Sequence, residues 1–254
     1  MLIIYIVSAT VLVSLISFVG IVAVYRNAVF KDGMLKKLIS LAAGALLAVT
    51  FLDLLPEAVE GVEDARAVFM MALVSFLLFF ILEKYLHWHH CRCIDHDPED
   101  PNAKQHLVLT NLIGDGVHNI VDGFLIATAF MLDMRIGVIT TLAVIVHEIP
   151  QEISDFGILL YAGMSKARAL FFNFLFALTA VLGGIVFYFF GQHFSHLIPF
   201  MAAFAAGNFI YLSASDLIPE LDDEKNAHNV IMHTGWLLLG VAVIYAVSII
   251  TPHV

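Results

Sequence analysis

Charge is what this 254-residue sequence has least of: Asp, Glu, Lys and Arg make up 13% of it, against 61% hydrophobic residues, and its mean hydropathy is +0.92. Such a balance excludes an ordinary soluble domain. Basic side chains are the scarcer sign, 12 Lys and Arg against 22 Asp and Glu, for a net charge of −10, and no nucleic-acid partner is expected. Long polar stretches are also missing, which leaves no room for a separate soluble domain between the apolar runs. The first run has neither a basic start nor a small-residue cleavage site, so it reads as a retained helix rather than a signal peptide. Cysteine is nearly absent: the chain has two, Cys91 and Cys93.

What is present is apolar length. A hydrocarbon core of roughly 30 Å needs a helix of about 20 apolar residues. Eight runs meet that need, near 2–25, 37–57, 67–88, 107–132, 136–161, 169–190, 197–221 and 228–250. The expected fold is an all-α integral membrane protein with eight transmembrane helices in one domain spanning 1–254. With the N-terminus outside, the inner loops hold Arg26, Lys31, Lys36, Lys37, Lys84, Arg92, Lys104, Lys166, Arg168 and Lys225, and the outer loops only Arg66 and Arg135. That is the asymmetry expected of a chain with both termini outside. Glu57, Glu60, Glu63 and Asp64 then give one outer mouth an acidic character able to gather cations.

The sequence also repeats itself. Residues 42–57, from Ala42-Ala43-Gly44 to Asp53-Leu54-Leu55-Pro56-Glu57, align without gaps to residues 205–220, which end Asp216-Leu217-Ile218-Pro219-Glu220. The copies fall in the second and seventh runs, which an eight-span topology orients oppositely. Inverted repeats of that kind (runs one to three and six to eight, about the fourth and fifth) are a hallmark of secondary transporters. Asp53, Glu57, Asp216 and Glu220 are accordingly candidate pathway residues, and the alternative is that they merely mark helix ends at the headgroups.

Two of the apolar runs break the rule against ionisable groups at bilayer depth, where such groups are costly and mark function. In the fourth, Asp115, His118 and Asp122 recur three and four residues apart and share a helix face, with Asn119 beside them. In the fifth, His147 pairs with Gln151 and Glu148 with Glu152 at i, i+4, Asp155 continues the stripe, and Pro150 leaves the Val146 carbonyl without its helical partner. Imidazole, carboxylate and amide donors suit zinc and accept iron(II), manganese or cadmium. If the two stripes face each other they offer His118, Asn119, Asp122, His147, Glu148 and Gln151 to one cavity, enough for one four-coordinate ion or for two sharing a carboxylate. His147-Glu148 also begins the zinc-protease signature His-Glu-x-x-His, but position 151 is Gln and Pro150 distorts the turn that must present both ligands.

With His118-Asn119-x-x-Asp122-Gly123 and His147-Glu148-Ile149-Pro150-Gln151-Glu152-x-x-Asp155 on the page, the chain resembles the ZIP (Zrt/Irt-like) family of divalent metal transporters, the second run being close to the His-Glu-x-Pro-His-Glu-x-Gly-Asp run of one large subfamily. Gln151 stands where that run has its second His, and Ser154 where it has Gly. The resemblance implies a binuclear site between the fourth and fifth helices, with Glu152 among its ligands, and movement of metal into the cytosol. It further implies alternating access, the first, fourth, fifth and sixth helices moving against the rest. Zinc is the first-choice substrate, with iron(II), manganese and cadmium behind it, and no cofactor beyond the transported metal is expected. A plasma or bacterial inner membrane and a minimal, microbial member are the expected setting, the partners being divalent metal ions, the lipid bilayer and, as an option, a second copy of the chain. An intramembrane zinc enzyme and a metal-selective channel are the rival readings.

Between the third and fourth runs lies His87-Trp88-His89-His90-Cys91-Arg92-Cys93-Ile94-Asp95-His96. On the inner side thiols stay reduced, and His89, His90, Cys91, Cys93 and His96 make a soft donor set, so the 89–106 loop reads as a metal trap, or as a solvated loop that binds metal incidentally. The remaining histidines, His233 among them, read as interfacial.

Overall fold

A computed structural model describes residues 1–20, 33–94, 101–221 and 227–250, all-helical apart from short turns. The helices are α1 (Leu2–Phe18), α2 (Met34–Glu60), α3 (Ala65–Ile94), α4 (Pro101–Leu132), α5 (Met134–Tyr161), α6 (Lys166–His193), α7 (Ser195–Leu221) and α8 (Ala227–Ile250). Six stretches among the described residues are long and apolar enough to cross a membrane, in α2, α3, α5, α6, α7 and α8. Two of the eight expected runs fall outside that set. α1 is apolar but short over its described length, and α4 carries the polar stripe of Asp115, His118, Asn119 and Asp122.

Burial runs inside out relative to a soluble protein. The most apolar windows of α3 and α8 are only 17% buried, whereas those of α2 and α5 are 72% and 67% buried. α2 and α5 are therefore central, and the outer helices turn Phe69, Met70, Leu73, Leu77, Leu238 and Ile249 outward, as lipid-facing helices do. Inside, Leu46, Val49, Leu125, Ile126, Ile139, Val144 and Phe209 join one core.

Glycine decides which helices meet backbone to backbone. A Cβ on Gly123 would lie 1.9 Å from the Ala180 carbonyl oxygen, and one on Gly183 2.2 Å from that of Ile120, so α4 and α6 are interlocked in both directions. Gly44 and Gly240 do the same for α2 and α8, against the Leu237 and Leu41 carbonyls. Small residues permit such approach where no hydrophobic effect drives helices together.

The helix ends differ from the sequence expectation near residue 100. Helical backbone continues to Ile94 and resumes at Pro101, so much of the expected 89–106 loop is helix. Proline at the first helical position forfeits no hydrogen bond, which makes Pro101 a natural start. Both copies of the repeat contain a π-helical turn at their aspartate, Thr50–Leu54 around Asp53 and Leu212–Leu217 around Asp216. α5 passes through Pro150 unbroken as a helix. His233, expected at an interface, is buried on α8 at 5% exposure.

Because the α4–α6 contact has no slack, Gly123→Val should destabilise the protein by about 1–3 kcal/mol, the usual cost of overpacking. Gly157→Ala, where an added Cβ meets nothing within 4 Å, should leave stability unchanged or slightly raised. Thermal unfolding of the two purified variants in detergent compares them directly.

Candidate metal centre

α5 presents His147 and Glu148 close to its midpoint, and α4 presents His118 and Asp122 one turn apart. These side chains converge: one ligand atom from each of the four lies within 4.8 Å of the others. His118 Nε2 is 3.2 Å from His147 Nε2, 3.3 Å from Glu148 Oε1 and 3.6 Å from Asp122 Oδ2. His147 Nε2 is 3.3 Å from Asp122 Oδ2 and 3.5 Å from Glu148 Oε1. Four donors around a zinc ion at its normal bond lengths stand about 3.3–3.6 Å apart along each edge of the tetrahedron. The five edges that include an imidazole nitrogen, at 3.2–3.6 Å, are close to those dimensions.

Its electrostatics point the same way. Asp122 and Glu148 are fully buried, and none of their carboxylate oxygens accepts a hydrogen bond of normal geometry among the described residues. Buried polar groups are rarely left so. The His118 and His147 rings stand edge to face with each other at 82°, their Nε2 atoms 3.2 Å apart beside the two carboxylates. His147 Nδ1 is 3.4 Å from the Ala143 carbonyl oxygen, to which only a protonated Nδ1 can donate, and this leaves the Nε2 lone pair for a cation. His118 keeps 21% of its side chain accessible, and the other three are closed off.

The other predicted residues divide around this core. Asn119 is held by Asp115, its Nδ2 donating to the carbonyl at 3.1 Å and to Oδ1 at 2.7 Å, while its own Oδ1 has no hydrogen-bond partner. Glu152 is buried and accepts a hydrogen bond from Asn173 Nδ2 of α6. Gln151 and Asp155 line a cavity of about 670 Å3 together with Asp216 and Glu220, and it reaches the surface where Ser154, Pro219 and Glu220 are exposed. A smaller cavity of about 150 Å3, lined by His118, Asn208, Tyr211 and Asp216, shares Leu212 and Asp216 with it. Leu212 and Asp216 thus stand between the cavity at His118 and the larger one.

At the other end Asp53 is buried, accepting from Ser248 Oγ at 2.8 Å and facing Arg135 Nη2 at 3.4 Å. Glu57 is half-buried on α2 and stands outside the cluster. His96 and the side chains of His89, His90, Cys91 and Cys93 lie outside the described residues. Sequence reasoning missed Asn173, Arg135 and Ser248. A lone Asn in the apolar α6 was a usable signal, but the partnership of Arg135 with residues 82 and 113 positions away was not.

The sequence profile described as ZIP Zinc transporter matches residues 1–108 and 89–248. The chain belongs to the ZIP family. Among its relatives, "Zinc transporter ZIP10" of Homo sapiens is 31% identical over 186 residues, covering 66% of this chain and 22% of that protein. "Metal cation symporter ZIP14" of Xenopus tropicalis is 42% identical over 111 residues, 44% of this chain and 24% of the relative. "IAA-alanine resistance protein 1" of Arabidopsis thaliana is 36% identical over 143 residues, 55% and 30% respectively. The matched regions therefore span less than a third of these relatives' lengths. The two ZIP-named relatives are called a transporter and a symporter, not enzymes.

If the four side chains hold a metal, removing one of them should weaken its binding sharply. His147→Ala and Glu148→Ala are each expected to raise the Kd for Zn2+ by at least about 10-fold, whereas Glu57→Gln leaves it unchanged. Equilibrium dialysis of the detergent-purified variants measures this.

Proposed function

We propose that this protein carries divalent transition-metal ions, zinc foremost, across a membrane into the cytosol through the cluster of His118, Asp122, His147 and Glu148. The observation that carries the reading is the pair of buried carboxylates that accept no hydrogen bond of normal geometry among the described residues, each with two imidazole nitrogens at 3.3–3.6 Å, close to the spacing of tetrahedral zinc ligands. Iron(II), manganese and cadmium fit the same donors less selectively. The names of the ZIP relatives agree with this class of substrate.

The remaining predicted residues take supporting parts. Asn119, Gln151 and Glu152 flank the cluster and offer amide and carboxylate oxygens to a second ion sharing Asp122 or Glu148. Asp115, Asp155, Asp216 and Glu220 form the way out, consistent with the cavities on that side, and Asp53 and Glu57 belong to the way in. His89, His90, Cys91, Cys93 and His96 then receive metal at the inner mouth. This assigns eight spans, both termini outside, and α2 and α7 as inverted counterparts. Their matching π-turns at Asp53 and Asp216 support that relation.

Movement between the two access states divides the helices into α1, α4, α5 and α6 against α2, α3, α7 and α8. The tightest glycine contacts support the division because they fall within each group: α4 on α6, α2 on α8, and Gly207 of α7 on the Ala72 carbonyl of α3. All four cluster residues ride on α4 and α5, in the moving group.

Saturable Zn2+ uptake into proteoliposomes that His118→Ala and Asp122→Ala both abolish is the expected result. Uptake unaffected by either substitution would move the path elsewhere, and stoichiometric binding without any uptake would overturn the carrier. Imidazole and carboxylate must shed protons to take a metal, so uptake should also fall as pH is lowered from 7.5 to about 5, which rate measurements across that interval will check.

A further inference from the structure

Arg135 is the second residue of α5, and its position is fixed twice. Asp133 caps the helix, its Oδ1 accepting from the backbone N–H groups of Arg135 at 2.7 Å and Ile136 at 3.4 Å. The side chain then leaves its own helix. Nη1 donates to the Ser248 carbonyl of α8 at 2.9 Å, and Nη2 reaches Asp53 Oδ1 of α2 at 3.4 Å. Ser248 Oγ donates to the same Asp53 oxygen at 2.8 Å, which closes a three-residue ring. Asp53 is 2% exposed and the Arg135 side chain 12%. An ion pair this enclosed loses much of its attraction to desolvation and contributes little net stability compared with apolar packing, so its presence calls for another reason.

The repeat supplies one. Asp53 and Asp216 occupy equivalent positions on equivalent π-turns, yet Asp216 is half-buried and lines both the cavity at His118 and the one that reaches the surface, while Asp53 is enclosed against an arginine. Two counterparts in opposite states are what a carrier shows when one mouth is open and the other shut. The ring also joins the groups that must separate: Arg135 belongs to the helix bearing His147 and Glu148, and Asp53 and Ser248 to α2 and α8. Arg135 lies about 18 Å along α5 from His147, too far to touch a bound metal.

We infer that Arg135, Asp53 and Ser248 form a latch that holds α5 against α2 and α8 and keeps the mouth on the Asp53 side closed while the Asp216 side is open. Arg135 is thus a positioning residue for the access change and not a metal ligand. This rests on the carrier reading, but its test does not require transport.

With Cys91 and Cys93 replaced by Ser, Ser215→Cys places one thiol on the wall of the open cavity, and its labelling rate with a membrane-impermeant maleimide reports how often that cavity is open. Arg135→Gln and Asp53→Asn should each slow labelling roughly threefold or more by releasing the open state. Arg135→Lys should restore part of the rate, and the exchanged pair Asp53→Arg with Arg135→Asp more of it. Unchanged labelling in Arg135→Gln or Asp53→Asn protein that elutes as a single species overturns the latch. Should those variants not fold, Ser248→Ala removes only the hydroxyl donor and must slow labelling in the same direction, with an unchanged rate again overturning it. Failure of zinc uptake in the unsubstituted chain would strike the carrier reading and leave the labelling result standing.

Discussion

Everything in this protein is arranged around the cost of holding two carboxylates in the middle of an apolar bundle. Asp122 and Glu148 cannot be hydrated there and receive no hydrogen bonds of normal geometry from the described residues. Two imidazoles stand opposite them, but a neutral imidazole offers a lone pair, not a charge. A divalent cation satisfies all four groups together, since it offsets both negative charges and takes both lone pairs. Binding strength is then set by how well the backbone holds the four atoms apart without a cation, and the spacings around both imidazoles, 3.2–3.6 Å, are already close to those of a tetrahedral shell. Such preorganisation favours capture. His118, the one partly accessible member of the four, also lines the smaller cavity, which fits the release step that the proposed carrier needs.

The glycine contacts follow from the same demand. α4 brings Asp115, His118, Asn119 and Asp122 into the bundle at the expense of hydropathy, while Phe124, Leu125, Ile126 and Phe130 beyond them anchor it in the apolar core. Gly123 directly follows the ligand Asp122, and its contact with the Ala180 carbonyl fixes the height of that carboxylate against α6. Thr179 Oγ1 adds a hydrogen bond to the Gly116 carbonyl at 2.8 Å, about two turns earlier on α4. α6 contributes no ligand to the four-residue cluster, yet it sets where two of its members sit.

Much of this was legible in the sequence, for identifiable reasons. Hydropathy is additive along a chain, so helix positions could be read, and residues three or four apart share a helix face whatever the fold, so both polar stripes could be read as well. Legibility stopped where the answer depends on the rotation of one helix about its axis. From the sequence, Asn119 and Gln151 stood level with Glu148. In the structure Asn119 turns its amide to Asp115, Gln151 faces the large cavity, and Glu152 goes to Asn173. The same limit hid Arg135, which its sequence position made a loop cation and which its side chain carries across two other helices. The helical continuation to Ile94 was missed for a different reason. Hydropathy marks where a helix leaves the apolar phase, not where its backbone hydrogen bonds end.

The repeat had the opposite fate, since its sequence identity was plain and its meaning was not. Asp-x-x-Pro-Glu at 53–57 and 216–220 reads as a helix ending twice used. The π-turns show more, because a π-turn inserts a residue into the helix and re-aims the side chain it carries. An aspartate on such a turn can be swung toward a partner or toward a cavity with little change elsewhere. One sequence element therefore serves both ends of a path, and what distinguishes the ends is the neighbour each aspartate meets. At Asp216 the setting is a half-buried cavity wall. At Asp53 it is a guanidinium, a tethered cation in the position a mobile one would seek. A plug of that kind has a property an apolar plug lacks: the Asp53 charge is already neutralised from within, so that carboxylate holds no ion gathered at the acidic mouth until the helices separate.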